Sequence, residues 1–201
     1  MTARNVATIV PVGGFLGAGK TRLLLRAAAL LKETGVRAAI ITNDQGENLV
    51  DSHWATDAGV SVGEVSGGCF CCRFDDFFNA ANLLLEQNID VIFAEPVGSC
   101  ADLSATVIQP LKALHGNRFR LAPLTVLADP QRSKDLLQEE NSDLTSLFSK
   151  QLEEADLVCF SKSDLGVVPP ALSISAPVRQ LSAKTGEGVS AWLDEVLNGK
   201  L

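Results

Sequence analysis

The chain has 201 residues, of which 46% are hydrophobic, so we expect a single domain over residues 1–201 with one sizeable core. Its 17 Lys and Arg against 24 Asp and Glu give a net charge of −7, and the lack of a basic run excludes nucleic acid as a predicted partner. No apolar run approaches the roughly 18 residues that span a bilayer, and the first residues do not resemble a secretory signal, so we expect a cytoplasmic protein with no membrane contact. In that reducing compartment the five cysteines are poor candidates for disulfides.

Apolar runs rich in β-branched residues alternate with runs of helical periodicity along the chain. The strands are predicted at 6–12, 37–42, 90–96, 121–130, 157–162 and 178–182, and the helices at 21–33, 73–87, 103–116, 142–156 and 189–199. This alternation is typical of α/β proteins. We therefore expect a doubly wound, mostly parallel sheet. Within it, Pro11 should mark the last paired position of the first strand, because proline cannot donate to a ladder.

A phosphate-binding loop is predicted directly after the first strand, at GGFLGAGKT, residues 13–21. The segment satisfies G-x-x-x-x-G-K-[ST], with the strand before it and the helix after it that this motif requires. Its glycines let the backbone turn N–H groups towards phosphate oxygens, Lys20 reaches the β- and γ-phosphates, and Thr21 binds Mg²⁺. The alternative is a glycine-rich turn with a chance lysine. The nucleotide contacts predicted here are Gly14, Gly17, Ala18, Gly19, Lys20, Thr21 and Arg22.

Two polar segments that follow predicted strands fit a guanine pocket, SKSD at 161–164 and SAKTGEG at 182–188. A carboxylate at Asp164 can accept from guanine N1–H and N2–H₂ together, whereas adenine lacks this pair of donors. The aliphatic stem of Lys162 would lie along the purine. Guanine is therefore favoured, although SKSD alone is also a common loop composition. The base contacts predicted here are Lys162, Asp164, Ser182, Ala183 and Lys184.

Carboxylates follow two further predicted strands. Glu95 ends the buried strand of DVIFAEPVG, where it would hold Mg²⁺ or orient the attacking water, and the Gly98 N–H could meet the γ-phosphate. Asp44 lies in TNDQGENLVD, residues 42–51, which would serve as a switch segment. Ordinary loop acids are the alternative at both positions. The predicted catalytic residues are Lys20, Glu95 and Asp44, and the predicted Mg²⁺ contacts are Thr21, Glu95 and Asp44.

The segment SGGCFCC, residues 66–72, contains the three cysteines Cys69, Cys71 and Cys72 directly after two glycines. They could ligate a metal, or one or two of them could simply pack in the core, since free cysteine is among the most buried residue types. Three adjacent thiolates would repel one another unless a cation such as zinc neutralised them. Both interpretations remain open from the spacing alone.

The order of these motifs resembles that of CobW-type P-loop GTPases, the metallochaperones of the SIMIBI class, which are related to the nickel-insertion GTPases of urease and hydrogenase. GGFLGAGKT, GGCFCC, AEPVG and SKSD carry the resemblance, which spans residues 13–188. It implies a SIMIBI-class fold, GTP and Mg²⁺ as ligands, and a transition metal, often zinc, on the three cysteines. The chain departs from the family pattern at Ser161, which replaces the usual asparagine. The stretch after SKSD is too short for the usual helix, and we do not expect the family's C-terminal domain within these residues.

The resemblance implies a protein that binds GTP or GDP and carries the metal to a client metalloprotein. Hydrolysis should be slow, because no arginine is recognisable as an arginine finger. A homodimer could complete the catalytic site. Thiolate ligation allows Zn²⁺, Cu⁺, Co²⁺ or Ni²⁺, and the fourth ligand could be water, a carboxylate such as Glu47, or a partner protein. Cys100 and Cys159 are expected to be structural. A P-loop small-molecule kinase and a non-enzymatic metal or redox sensor gated by nucleotide are the alternatives.

Overall fold

The computed structural model describes residues 6–43, 60–138 and 142–198. The strands are β1 (Ala7–Gly13), β2 (Ala38–Thr42), β3 (Ser61–Glu64), β4 (Val91–Glu95), β5 (Phe119–Leu121), β6 (Thr125–Ala128), β7 (Leu157–Phe160) and β8 (Val178–Gln180). The helices are α1 (Lys20–Glu33), α2 (Phe74–Glu86), α3 (Gln109–His115), α4 (Pro130–Gln138), α5 (Asp143–Glu153) and α6 (Val189–Val196). A π-helical turn, Ser104–Ile108, leads into α3, and a 3₁₀ turn, Ser163–Leu165, follows β7.

The described strands form one sheet in the order β3-β2-β4-β1-β6-β7-β8, with β5 beside the first half of β1. Every strand pair in it is parallel. The carboxyl ends of all these strands therefore meet at one edge, where loops that are distant in sequence converge. The doubly wound, parallel sheet that the sequence predicts is confirmed.

Helices cover both faces of the sheet, because successive residues of a strand point to opposite sides. Val10 and Phe93 face a hydrophobic cluster with α1 and α6, whereas Ile9 and Ile92 face a second cluster with α2 and α3. Helices α4 and α5 pack on that second face further along the sheet, beneath β6 and β7. Among the residues described, none of the helices has the length and hydropathy needed to cross a bilayer.

Pro11 lies inside β1 and does not end it, since pairing continues to Gly13. The Ile9 carbonyl accepts from the Ala122 N–H, so the backbone polar groups of Ile9 face the side of β5. Pro11 directs its backbone polar groups to the same side as Ile9, because the two residues are two positions apart in the strand. The N–H that proline lacks would therefore face the gap where β1 stops pairing with β5 and starts pairing with β6. The prediction that Pro11 is the last paired residue is therefore wrong, because this central strand needs no donor at that position.

Strands β3 and β5 and helix α4 are not among the predicted elements, and one predicted strand is shorter in the structure. Strand β3 has the sequence SVGE and lies at the sheet edge, where three of its four residues are exposed and give no apolar signal. Strand β5 is only three residues long. The predicted strand at 121–130 ends at Ala128, because Asp129 caps a new helix through the amide of Gln131 and proline occupies the first position of that helix.

Candidate nucleotide and metal site

The segments singled out in the sequence lie along the carboxyl edge of the sheet, where ligand sites of open α/β sheets form. The strand order places the cysteine segment beyond β3, followed by Asn43 after β2, Glu95 at the end of β4 and the phosphate loop after β1. The segments 161–164 and 182–184 follow β7 and β8 at the other end. The thiols therefore lie at one end of this row and the predicted base contacts at the other, with the phosphate loop between them.

The loop between β1 and α1 holds Lys20 in a buried position, with 6% of its surface exposed. Its Nζ donates to the carbonyl oxygen of Gly14 at 2.9 Å and to that of Phe15 at 3.4 Å. Burial lowers the pKa of Lys20, and nearby Glu95 offsets part of this effect. Gly14 has a φ of 125°, and a Cβ there would overlap the carbonyl oxygen of Leu127, so only glycine fits this position.

The phosphate loop contacts the loop after β4 directly. A Cβ on Gly98 would lie 2.5 Å from the backbone nitrogen of Leu16, so the two backbones touch at this point. Helix α5 supports both loops. Its Phe148 makes an edge contact with Phe15, with ring centroids 6.1 Å apart, and its Gln151 donates to the Gly98 carbonyl at 3.0 Å. Helix α5 and the direct backbone contact therefore hold the two loops against each other.

Thr21 and Glu95 meet beside the phosphate loop. Thr21 Oγ1 donates to Glu95 Oε1 at 2.8 Å, and Glu95 is 8% exposed. Mg²⁺ prefers oxygen ligands, and the Thr21 hydroxyl and the Glu95 carboxylate supply them, so the pair fits the ion that the sequence predicts here. The third predicted Mg²⁺ contact and catalytic residue, Asp44, lies outside the described residues.

A cavity of about 360 Å³ opens between α1 and the loops that follow β7 and β8. Its volume falls within the usual range for small-molecule pockets. All five base contacts predicted from the sequence line it, and the phosphate loop and α1 add Ala18, Gly19 and Arg22. The structure thus brings the predicted residues to one cavity, and their roles in binding GTP stay predictions.

Hydrogen bonds orient the polar groups of this cavity. Ser182 Oγ donates to Asp164 Oδ1 at 2.6 Å, which lowers the pKa of Asp164 and keeps its carboxylate ionised. Lys162, with a φ of 58°, pairs with Asp129 after β6. Burial raises the pKa of Asp129, but the hydrogen bond from Lys162 and the amides at the start of α4 outweigh it, and the pKa lies below its usual value. Sequence reasoning missed Asp129, whose signal is an acid directly after a buried strand.

The three cysteine sulfurs converge, which is the arrangement that the metal-ligand interpretation of the sequence requires. The Sγ atoms of Cys69, Cys71 and Cys72 lie within 4.8 Å of one another, and those of Cys69 and Cys72 are 3.2 Å apart. The backbone amides of residues 72 and 73 both donate to the Cys69 carbonyl and close the turn. Phe70 is fully buried and packs against α2, so it anchors the segment while the sulfurs turn towards one another.

Hydrogen bonds within the cluster make its thiols unequal. Burial opposes ionisation of Cys69, but hydrogen bonds with Cys71 and Cys72 outweigh it and lower the pKa of Cys69. Burial and the hydrogen bond with Cys69 raise the pKa of Cys71 to about 11, and the hydrogen bond with Cys69 raises the pKa of Cys72. Full ionisation of all three would therefore need a cation, and a thiophilic metal supplies one.

Asn43 connects the cysteine segment to Glu95. It is 2% exposed, and its Nδ2 donates to the carbonyl oxygens of Val65 at 2.7 Å and Gly68 at 2.5 Å. Its backbone N–H donates to the Glu95 carbonyl at 3.0 Å. Glu95 also accepts a hydrogen bond from Thr21 at the end of the phosphate loop. A chain of hydrogen-bonded residues therefore runs from the phosphate loop to Gly68, the residue before the first cysteine. Sequence reasoning missed Asn43, because one amide after a strand carries no motif.

The sequence matches the CobW/HypB/UreG nucleotide-binding domain over residues 8–182. The chain belongs to this family. It is 33% identical over 172 residues to the zinc chaperone YeiR of Escherichia coli, a match that covers 82% of this chain and 47% of YeiR. It is 30% identical over 183 residues to the zinc chaperone CobW of Pseudomonas aeruginosa, covering 76% of this chain and 48% of that protein. The chain spans about half the length of these curated relatives.

Solved structures agree with the CobW/HypB/UreG assignment at the level of the fold. HypB from Helicobacter pylori in complex with nickel superimposes with a TM-score of 0.70 at 18% identity, covering 96% of this chain and 87% of that one. The Zn(II)-bound YjiA GTPase from E. coli superimposes with a TM-score of 0.54 at 22% identity, covering 80% and 51%. The fold is that of SIMIBI-class P-loop GTPases, as the sequence predicts.

The base loop of this CobW/HypB/UreG domain contains the two features that the sequence analysis sets apart, Ser161 and the short stretch after SKSD. Ser161 Oγ donates to the Ala128 carbonyl of β6 at 3.3 Å, so the short side chain ties the base loop to the neighbouring strand. After the 3₁₀ turn, residues 166–177 cross to β8 without a helix. The prediction of an irregular crossing is confirmed.

Proposed function

We propose that this domain binds GTP, hydrolyses it slowly, and carries a transition metal, in the first instance zinc, on Cys69, Cys71 and Cys72 for delivery to a client metalloprotein. The observation that carries the proposal is the convergence of three sulfurs at the sheet edge that also holds the phosphate loop. The relatives named as zinc chaperones support zinc as the cargo. Thiolates are ligands that zinc prefers.

The cavity and the phosphate loop support GTP as the nucleotide. Asp164 is kept ionised by Ser182, so its carboxylate can accept from the two guanine donors. Lys162, held by Asp129, would support the purine with its stem. Lys20 would meet the β- and γ-phosphates, while backbone N–H groups of the loop surround them.

Thr21 and Glu95 are the residues that would hold Mg²⁺, which when bound neutralises charge on the β- and γ-phosphates. Glu95 ends a buried strand, and the contact with Thr21 fixes its carboxylate beside the phosphate loop, where it could orient the attacking water. Lys20 is the one cationic side chain in GGFLGAGKT. Hydrolysis should therefore be slow, because little positive charge meets the charge that develops in the transition state.

The strand order supports coupling between nucleotide and metal. A nucleotide with its base beside β7 and β8 and its phosphates on the loop of β1 directs its γ-phosphate towards β4 and β2. Glu95 and Asn43 lie on that side, and Asn43 holds the cysteine segment. Loss of the γ-phosphate would then shift this path, and linkage requires that metal and GTP change each other's affinity by the same factor.

GTP turnover tests the nucleotide half of the proposal. Lys20→Ala should abolish most hydrolysis, whereas Lys112→Ala, which removes the same charge from an exposed position on α3, should match the native rate. Equal rates in the native chain and Lys20→Ala would identify a contaminating activity and remove the assignment. Transfer of the γ-phosphate to a small-molecule acceptor would favour a kinase instead.

Zinc stoichiometry tests the metal half. The native chain, purified without oxygen, should bind zinc, and replacement of Cys69, Cys71 and Cys72 by serine should abolish binding while GTP turnover persists. Cys159→Ser is the matched control, since Cys159 is buried in β7 away from the cluster. Zinc binding that survives the triple replacement would refute the cysteine site. Zinc binding without GTP turnover in the native chain would favour a sensor.

A further inference from the structure

We propose that Cys69 and Cys72 form a reversible disulfide, and that oxidation of this pair releases the metal cargo. The inference rests on the proposed function, because it concerns how loading of the same cargo is regulated. The bond would consume two of the three proposed metal ligands, and Cys71 alone is too few ligands for a tetrahedral zinc ion. The metal would therefore be carried only by the reduced chain.

The two sulfurs of this pair lie closer together than a shared zinc ion would hold them. Cys69 Sγ and Cys72 Sγ are 3.2 Å apart. Two sulfurs that each lie about 2.3 Å from one tetrahedral zinc ion are separated by about 3.8 Å. A disulfide bond measures about 2.0 Å, so bonding needs a further approach of about 1.2 Å, which rotation of the two side chains can supply. The metal-free pair therefore already lies part of the way towards a disulfide.

The backbone of the segment has the turn that such a bond requires. The Cys72 N–H donates to the Cys69 carbonyl at 3.0 Å. A turn closed in this way brings the Cα atoms of its first and fourth residues to within about 7 Å, and disulfides join Cα atoms about 4.4–6.8 Å apart. Phe70 is fully buried and packs against Phe77 of α2, which fixes the turn on the core. The bond should therefore form without unfolding the segment.

Cys71 is a less suitable partner for either of the other two cysteines. A disulfide between the adjacent residues Cys71 and Cys72 would strain the planar peptide unit between them, which is trans, since the described residues contain no cis peptide bond. Cys71 also packs against the hydrophobic cluster of α2 and α3, whereas Cys72 is exposed. An oxidant from solvent therefore reaches Cys72 first, and the Cys69 sulfur lies in contact with that of Cys72.

The oxidant that suits this pair is a low-molecular-weight disulfide such as oxidised glutathione. The Cys72 thiol loses its proton to solvent and attacks one glutathione sulfur, and the other leaves and takes up a proton. Cys69 then loses its proton and attacks the Cys72 sulfur of this mixed disulfide, which releases the second glutathione. Two protein thiols are thus oxidised to one disulfide, while one glutathione disulfide is reduced to two thiols. Disulfides of this transient, redox-sensing kind also occur in reducing compartments.

Differential alkylation of the metal-free native chain tests the pairing. The reduced protein is equilibrated with buffers of increasing oxidised-to-reduced glutathione ratio, its free thiols are alkylated, and the bonded cysteines are identified by mass spectrometry. We expect Cys69 and Cys72 to become protected together, with Cys71 still alkylated, and all three to be recovered after reduction with dithiothreitol. A bond that includes Cys71, a bond between two chains, or a stable glutathione adduct on Cys72 would overturn the inference.

Serine variants separate this pairing from general oxidation of the chain. Cys71→Ser should keep the disulfide, whereas Cys69→Ser should stop at a glutathione adduct on Cys72. Cys159→Ser is the matched control, because Cys159 is buried in β7 on the opposite face of the sheet, and this variant should behave like the native chain. The circular dichroism spectrum should not change on oxidation. A loss of helical signal would show that the bond disrupts the fold, and would overturn the inference.

Zinc release measures the effect on the cargo. The zinc-loaded native chain is mixed with oxidised glutathione and a chromogenic chelator, and zinc release should rise together with the disulfide. The zinc affinity of the oxidised chain should fall by more than the roughly 10–100-fold that loss of an outer-shell partner costs. Zinc that stays bound to the oxidised chain would overturn the inference. A chain that forms the disulfide but binds no zinc when reduced would instead refute the proposed function and leave the disulfide site in place.

Discussion

Replacement of Asn43 by alanine should weaken the domain and uncouple its two sites. The substitution removes two hydrogen bonds, to the carbonyl oxygens of Val65 and Gly68, and keeps the backbone bond to Glu95. A hydrogen bond contributes about 0.5–1.5 kcal/mol, and a buried acceptor left without a donor costs about 1–3 kcal/mol. The Val65 carbonyl is left without a hydrogen-bond donor in a buried setting, whereas water can reach part of Gly68. We expect a loss of about 2–3 kcal/mol in the free energy of unfolding.

Two measurements check the Asn43→Ala prediction. Urea unfolding of the metal-free chain gives the stability change, and Asn79→Ala, at an exposed position on α2, should lie within about 0.5 kcal/mol of the native chain. Zinc titrations with GDP and with a non-hydrolysable GTP analogue give the coupling. The two zinc affinities should differ in the native chain and approach each other in Asn43→Ala. A stable variant with native coupling would show that Asn43 does not connect the sites.

Three further predictions concern the nucleotide. Gly14→Ala should abolish GTP binding, whereas Gly13→Ala should preserve it, since a Cβ at Gly13 lies 3.8 Å from its nearest neighbour. An equilibrium binding assay that gave equal GTP affinities for the two variants would contradict this steric argument. Asp164→Asn should weaken GTP binding and favour binding of xanthosine triphosphate, because an amide can donate to the C2 carbonyl of xanthine. Competition between the two nucleotides measures this preference, and an unchanged preference for guanine would remove Asp164 from the base site. Because Ser182 lowers the pKa of Asp164, this carboxylate should stay ionised until the pH falls below its usual 3.8. The ratio of native to Asp164→Asn affinity for GDP should thus be constant from pH 7 to pH 5, and a fall in that interval would mean a raised pKa.

The sequence predicts those parts of the fold and of the site that carry a recognisable local sequence pattern. The phosphate loop, Glu95 and the segments around Lys162 and Ser182 follow apolar runs, and a parallel sheet must bring such strand ends to one edge. Strand β3 is missed because its exposed edge position removes the hydrophobic signal. Asn43 and Asp129 are missed for another reason: each acts through a partner that is distant in sequence, and no local spacing encodes such a contact.

The sheet separates the support of the two ligand regions. Leu181 and Ala183, which lead to the base cavity, pack in the core of α1 and α6, whereas Phe70 and Cys71 pack in the core of α2 and α3. Proteins open locally in cooperative units that need not unfold together. In the proposed carrier, the layer that bears the thiols would loosen and release its metal as a separate unit, while the opposite layer holds the nucleotide. Unloading would then require neither nucleotide release nor global unfolding.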